Sequence, residues 1–518
     1  MTTAPERIFV EGRIFRRGIE GKPVEALAVA AGRVLAWGTD DEMRALANRG
    51  TTIDSLDGGV VVSGFHDAHL HLAAGSLALA GLDVRECTSA DAVAERVRAR
   101  AATSPSGAWI RGWGWDHSRW EGGGWPDKAL LDRAAPDHPV FLSRIDGHAA
   151  WLSSRGLREV GIDETASDSD GGEIVRDPES GSLKGILLER ARDRALALLP
   201  SASDQEQRCA VEEGLARLRR VGVTSIEDVT EPWALETYAR LRDGGRLTAR
   251  VSAWLPLGLD RAEAEALRRR FPPTDPWLAV GTLKVFLDGT LGSRSAAMVE
   301  PFADDPGNLG GLRVDPGRLA AEVRRADDDG WTVAMHAIGD RAVHLALDVL
   351  ENLPPRPRPR PHRVEHLQVV AEGDLRRLAG CGAVASIQPV HFTEDRHWIE
   401  KRLGARRACL AYPWRSLLQR GVLVAIGTDW PVAPLDPLRG LEAATKGRGP
   451  SSREALTLGE AFEAYTLGPA RAAGRESDLG TLGPGCHADF AVLSDDPREV
   501  PLSSVRVTRT YVDGRRVR

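Results

Sequence analysis

The chain has 518 residues, more than one ordinary hydrophobic core accommodates, so two or three structural units are expected. Its 42% hydrophobic and 27% charged residues are those of a globular protein, and a net charge of −6 excludes the dense basic surface that nucleic acid or an anionic membrane demands. Residues 1–7 lack the apolar core of a signal peptide and no run approaches the roughly 20 apolar residues of a membrane span, so a cytoplasmic location is expected.

The chain opens with short apolar runs separated by turns. Residues 8–15 and 26–38 read as strands, the second broken at Ala31-Gly32, a dipeptide suited to a tight hairpin. Residues 488–493 and 508–517 repeat this texture at the other end. Both termini are therefore expected to build one small β-sandwich, residues 1–58 with 477–518. The stretch Val60-Val61-Val62-Ser63-Gly64-Phe65-His66-Asp67-Ala68-His69-Leu70-His71 reads as a buried strand whose end carries His69 and His71 on one face.

Residues 73–200 do not fit a single crossover helix. Strand-like residues 108–115 and 140–144, a Gly/Trp-rich loop through Trp125-Pro126 and a hairpin near 177–182 mark an inserted cap. Apolar strands near 222–227, 250–257, 280–287, 331–336, 363–366, 383–388 and 422–427 then alternate with helices such as 210–220, 261–270, 318–328, 341–352 and 453–465. With the first strand this makes eight, and an α/β fold of the (β/α)8 TIM-barrel type over 59–476 is the economical closure. Arg356-Pro357-Arg358-Pro359-Arg360-Pro361 reads as an extended, exposed connector. Five scattered cysteines, Cys87, Cys209, Cys381, Cys409 and Cys486, form no Cys-x-x-Cys pair and are expected to be reduced.

Barrel active sites lie at the C-terminal ends of the strands, so the residue that ends each strand carries information. Strand one supplies His69 and His71, strand four holds Lys284 in an otherwise apolar run, and strand five ends at His336. Strand six is Val364-Glu365-His366 and strand eight ends at Thr428-Asp429. One such histidine suits a satisfied core position; ligand types arriving at one rim from five of eight strands point instead to a metal. Histidine with carboxylate suits zinc, manganese, iron or nickel. No Gly-x-Ser-x-Gly elbow or phosphate-binding loop accompanies them.

Phrases covering most of the chain resemble the amidohydrolase superfamily, and within it the branch related to N-substituted formamide deformylase. They are Gly64-Phe65-His66-Asp67-Ala68-His69-Leu70-His71, the Trp/Gly-rich cap segment, Asp146-Gly147-His148-Ala149, Gly171-Gly172, Asp288-Gly289-Thr290-Leu291-Gly292-Ser293-Arg294, His336-Ala337-Ile338-Gly339-Asp340-Arg341-Ala342, Asp429-Trp430-Pro431-Val432 and the C-terminal phrase from Leu479 to Asp489. The resemblance implies two divalent ions, zinc or a similar metal, held by His69, His71, Lys284, His336, His366 and Asp429. It implies hydrolysis of carbon–nitrogen bonds other than peptide bonds in a small, partly apolar amide, formamide or N-acyl compound. An ammonium at Lys284 would be costly to bury beside two cations, whereas a neutral amine takes up carbon dioxide to give a carbamate that bridges them. The alternative is an ammonium paired with Asp288 or Glu227 in a one-metal site.

A metal-bound hydroxide is then the expected nucleophile, with Asp429 as general base and Lys284 and His366 completing the catalytic set. Substrate contact is expected from Trp115, Arg144, Asp146 and His148 in the cap, from Asp288 and Arg294 after strand four, and from Gln388 and His391 after strand seven. His66, where the family more often has an aliphatic residue, and Trp430, next to the base, are expected to reshape the pocket, so the deformylase substrate is not carried over. A one-metal deaminase or cyclic-amide hydrolase is the nearest alternative. A non-catalytic amidohydrolase-like scaffold is another, and the presence of all six ligand residues argues against it. A small-molecule substrate is the expected partner, and a homodimer is one open form of the assembly.

Overall fold

A computed structural model describes residues 4–168, 171–446 and 452–518. Eight parallel strands, hydrogen-bonded in consecutive order, form the central sheet: β1 (Phe65–Leu70), β2 (Val223–Val229), β3 (Arg250–Pro256), β4 (Leu278–Phe286), β5 (Thr332–Ala337), β6 (Arg363–His366), β7 (Val384–Ile387) and β8 (Val424–Ile426). The β8 and β1 edges are clasped just past the strands, where the Asp429 amide donates to His69 O at 2.6 Å and the His71 amide to Trp430 O at 2.8 Å. Buried Asp67 adds to the clasp by accepting from the Thr428 amide at 3.0 Å and hydroxyl at 2.6 Å. Helices cover the outer face, as parallel strands with two buried faces require. The fold is a TIM barrel.

Two further sheets pack face to face. Arg7–Val10, Ala26–Ala30, Arg33–Gly38 and Thr52–Ser55 form one; the other combines Arg13–Ile14 and Val60–Ser63 with Phe490–Leu493, Val507–Val512 and Arg515–Arg516 from the opposite end of the chain. Phe9, Val61, Phe490 and Tyr511 fill the space between them. The Ala31-Gly32 turn takes φ of 49° and 73°, the left-handed pair that a two-residue hairpin needs. After His71 the chain enters a cap built on a six-stranded sheet whose core holds Trp115 and Trp151; its last hairpin joins Gly172–Arg176 to Leu183–Glu189.

Several expectations need correction. The Val60-Val61-Val62 run is not barrel: Val60–Ser63 pairs with Phe490–Leu493 in the sandwich, and only Phe65–Leu70 enters the barrel. The switch falls at Gly64, where a Cβ would meet Thr224 Cγ2 at 2.6 Å and Cβ at 2.8 Å, so the chain crosses between sheets where only glycine fits. The helix expected over 453–465 is a short 3-10 turn, Ser452–Glu454, followed by Leu458–Ala464, because a Thr457–Glu460 capping box starts the second helix afresh. The helix expected from 210 starts at Asp204, where Ser203 and Glu206 form another capping box. The arginine-proline connector is tethered, since Arg356 and Arg358 both pair with buried Asp327. The five cysteines are free, and no helix among the described residues is long and apolar enough to cross a membrane.

Candidate active site

The C-terminal ends of the barrel strands open into a cavity of about 1750 Å³ roofed by the cap. His69, His71, Lys284, His336, His366 and Asp429 all line it. Asp429 Oδ1 lies 3.2 Å from His71 Nε2 and 3.5 Å from His69 Nε2, while Oδ2 lies 3.7 Å from His391 Nε2. The His366 ring is centred 5.1 Å from that of His69 and 4.4 Å from that of His336. Two groups of three donors share Asp429: one with His69 and His71, the other with His366 and His391, each with its donor atoms within 4.8 Å of one another. His391, assigned above to substrate contact, thus stands among the donors.

Local structure sets these positions. His71 immediately precedes the helix Leu72–Leu79, whose first amide donates to Asp228 Oδ1 at 2.7 Å and so fixes where the chain turns off β1. Asp288 is fully buried and accepts from the amides of Ala297, Ile338 and Gly339 at 2.8–3.0 Å, tying the loop after β4 to the end of β5. His336 Nε2 lies 3.1 Å from Gly289 O in that loop. His366 and Asp429 take φ of 76° and 55°, a left-handed backbone that costs about 1–3 kcal/mol per residue and concentrates at functional sites.

Burial drives the electrostatics. It lowers His69 to about 4, with Lys284 adding to the effect against Glu365 and Asp429. It takes His336 and His366 well below the ordinary histidine value, so all three rings are neutral at pH 7 with a lone pair to offer. The Lys284 amine is lowered to about 8, by burial first and then by Arg363, against the pull of Glu365 and Asp429. Burial pushes the Asp429 carboxyl up, but the hydrogen bond from His71 leads the effects that overcome it and hold it well below the usual carboxylate range.

His69 Nε2, Lys284 Nζ, His366 Nδ1 and His391 Nε2 are buried and have no hydrogen-bond partner. Unpaired buried polar atoms are rare and expensive, and four at one strand-end rim are what a bound cation would satisfy. Lys284 is not paired with Asp288 or Glu227. Asp288 is occupied by backbone amides, Glu227 takes the Trp254 indole N–H at 2.8 Å, and Nζ lies over the Phe286 ring at 4.9 Å.

Of the residues assigned to substrate contact, Arg144, Asp146, His148 and His391 line the cavity. Arg144 is held by Asp116 at 2.5 Å and by Asp146, which also accepts from Thr290 Oγ1 at 2.8 Å, so this pair joins the cap to the loop after β4. His148 Nδ1 lies 2.9 Å from Glu189, with its ring 5.4 Å from that of His336. Trp115, Asp288, Arg294 and Gln388 do not line the cavity. Trp115 is in the cap core donating to Leu142 O at 2.8 Å, Arg294 is paired with Asp304 at 2.9 Å, and Gln388 is buried. Nor do His66 and Trp430 shape the wall; His66 lies 3.3 Å from Glu227 inside the barrel. Sequence reasoning missed Glu365, 2.6 Å from His69, because β6 reads Arg363-Val364-Glu365-His366 and a charge there does not stand out as Lys284 does in its apolar run.

The sequence profile of the amidohydrolase family matches residues 51–518. The chain is 32% identical to the putative amidohydrolase YtcJ of Bacillus subtilis, over 97% of each protein. It is 27% identical to the N-substituted formamide deformylase of Arthrobacter pascens, over 99% of this chain and 98% of that one. A crystal structure of an uncharacterized metal-dependent hydrolase from Pyrococcus horikoshii superposes with a TM-score of 0.79 at 27% identity, covering 96% of this chain and 99% of that one. Strand ends, cavity and sequence thus agree, and the chain belongs to the amidohydrolase family.

Proposed function

We propose that the protein is a divalent-metal-dependent hydrolase of carbon–nitrogen bonds other than peptide bonds, acting on a small, partly apolar amide, formamide or related N-acyl compound. The observation that carries this reading is the convergence of unpartnered, buried donor atoms from β1, β4, β6 and the helix after β7 (Pro389–Asp395) beside Asp429. Its relatives include a metal-dependent hydrolase and a formamide deformylase, which supports the same chemistry.

His69, His71, His336, His366 and Asp429 would hold the ions, with Lys284, as a carbamate, supplying further oxygen donors and His391 as a further candidate. Zinc fits this donor set, as do other first-row metals. Such ions, when bound, lower the pKa of a water toward neutrality and polarise a carbonyl oxygen. Lys284 is prepared for carboxylation by burial without a partner, since an amine near neutrality reacts with carbon dioxide and releases a proton. Asp429, ionised at pH 7, accepts the proton of the attacking water and returns it to the departing nitrogen. The cap contributes Arg144, Asp146 and His148 to the wall of the cavity above the rim. Trp109, Trp113, Phe141, Trp233 and Phe286 supply apolar wall for the acyl or amine substituent.

Metal-replete protein is to be assayed against formamides, N-acyl amines, lactams, carbamates and aminated heterocycles, alongside metal analysis and intact mass with and without bicarbonate. Amine release from formamides or N-acyl amines, with two ions per chain, is the expected result. Turnover confined to aminated heterocycles with one ion would replace the proposal by a deaminase. A folded protein that takes up no divalent ion would end it.

A further inference from the structure

Glu365 lies on β6, next to His366, and is fully buried. Its Oε2 is 2.6 Å from His69 Nδ1, and its Oε1 accepts from Arg363 Nε at 2.6 Å. Arg363 also donates from Nη2 at 2.7 Å to Ala68 O, the carbonyl just before His69. The indole of Trp254 meets the His69 ring edge-on at 5.4 Å and lies 4.4 Å beneath the guanidinium. Ring and backbone of His69 are thus gripped by one assembly. With Nδ1 committed to an anionic acceptor, the lone pair of the ring is on Nε2, the atom left without a partner beside Asp429. Glu365 does not line the cavity and both its oxygens are engaged, so it is neither a ligand nor a base.

We propose that Glu365, anchored by Arg363, is a positioning residue that sets the tautomer and rotation of His69 so that Nε2 meets the cation. The proposal deepens the hydrolase reading and rests on it for the role of His69. A carboxylate behind a metal-bound histidine raises its basicity and fixes its orientation, and loss of such a partner weakens metal binding about 10–100-fold.

The test is Zn²⁺ titration of metal-free protein against a chromophoric chelator, for wild type, Glu365→Gln, His69→Ala and the double variant, with thermal midpoints measured on the metal-free forms. Glu365→Gln is expected to weaken Zn²⁺ binding about 10–100-fold. In the His69→Ala background the same change is expected to make no further difference, because Glu365 acts through that ring. Wild-type affinity in folded Glu365→Gln, or an equal loss with and without His69, overturns the proposal alone. Unchanged affinity in His69→Ala overturns the ligand assignment and the proposal with it. Should Glu365→Gln not accumulate as folded protein, Glu365→Asp is read the same way, since it keeps the charge against Arg363 and withdraws the carboxylate from His69.

Discussion

Gly427 follows β8 and packs against the backbone that carries His69. A methyl at position 427 would lie 3.0 Å from His69 Cα and 2.9 Å from Asp67 Oδ1, with the His69 amide nitrogen nearer still. Carbon atoms in contact sit about 3.5–4.0 Å apart, so Gly427→Ala must move β1 or β8 by about half an ångström or more. The neighbours cannot swing aside, because Asp67 is held by the amides of His69 and Thr428 and by the Thr428 hydroxyl. Overpacking of this kind costs about 1–3 kcal/mol. Metal–ligand distances tolerate only about 0.2 Å, so a shift of that size pulls His69 away from its place beside Asp429. Zn²⁺ affinity is expected to fall at least about tenfold, roughly 1.4 kcal/mol, together with the thermal midpoint of the metal-free protein. Chelator competition and thermal unfolding measure the two. Gly373→Ala, whose methyl meets nothing within 4 Å, is the matched control. Wild-type affinity and midpoint in Gly427→Ala would refute the account of how β8 clasps β1.

Asp429→Asn is expected to lower kcat by about 10²–10⁴-fold, roughly 3–5 kcal/mol, and to cost rate more than metal content by mass spectrometry; equal loss of both would remove proton transfer from the role of Asp429. Stripping the protein with a chelator is expected to lower its thermal midpoint, and free Zn²⁺ at about 100 times its Kd should restore about 2.7 kcal/mol; a midpoint indifferent to metal counts against a folded-state site. In the sandwich, burial lowers His487, but its bonds to Asp478 and Asp513 outweigh that and raise its pKa, with Arg250 and Asp489 also facing the ring. A raised histidine contributes stability that is fully present below its unfolded value of about 6.5 and is lost as pH rises through its folded value. His487→Gln should therefore be more destabilising at about pH 6 than at about pH 9 in urea unfolding, and equal losses at the two pH values would remove His487 as the titrating group.

The alternation of strand and helix from residue 200 onward was legible because parallel strands buried on both faces are largely apolar, and Lys284 stood out in the apolar run of β4 without any structure. The histidines at strand ends were legible for the same reason. The register of the first strand was not: Val60–Ser63 is the more apolar run yet lies in the sandwich, and the break before Phe65–Leu70 depends on Thr224 crowding Gly64 from a strand more than 150 residues later. Trp115 and Trp113 illustrate the limit in the cap. Their chemistry is the same, but one faces a packed interior and the other the cavity, which two-residue periodicity alone cannot assign.

Local chemistry, written in the order of the residues, determined which elements form and which side chains suit a metal. Only the closed barrel decided which atoms face one another: that His391 joins the donors, that Asp288 serves the backbone, and that Glu365 lies behind His69. The physical reason is that a pattern along one strand reports burial, whereas a partner 296 residues away is set by strand order and register around the barrel.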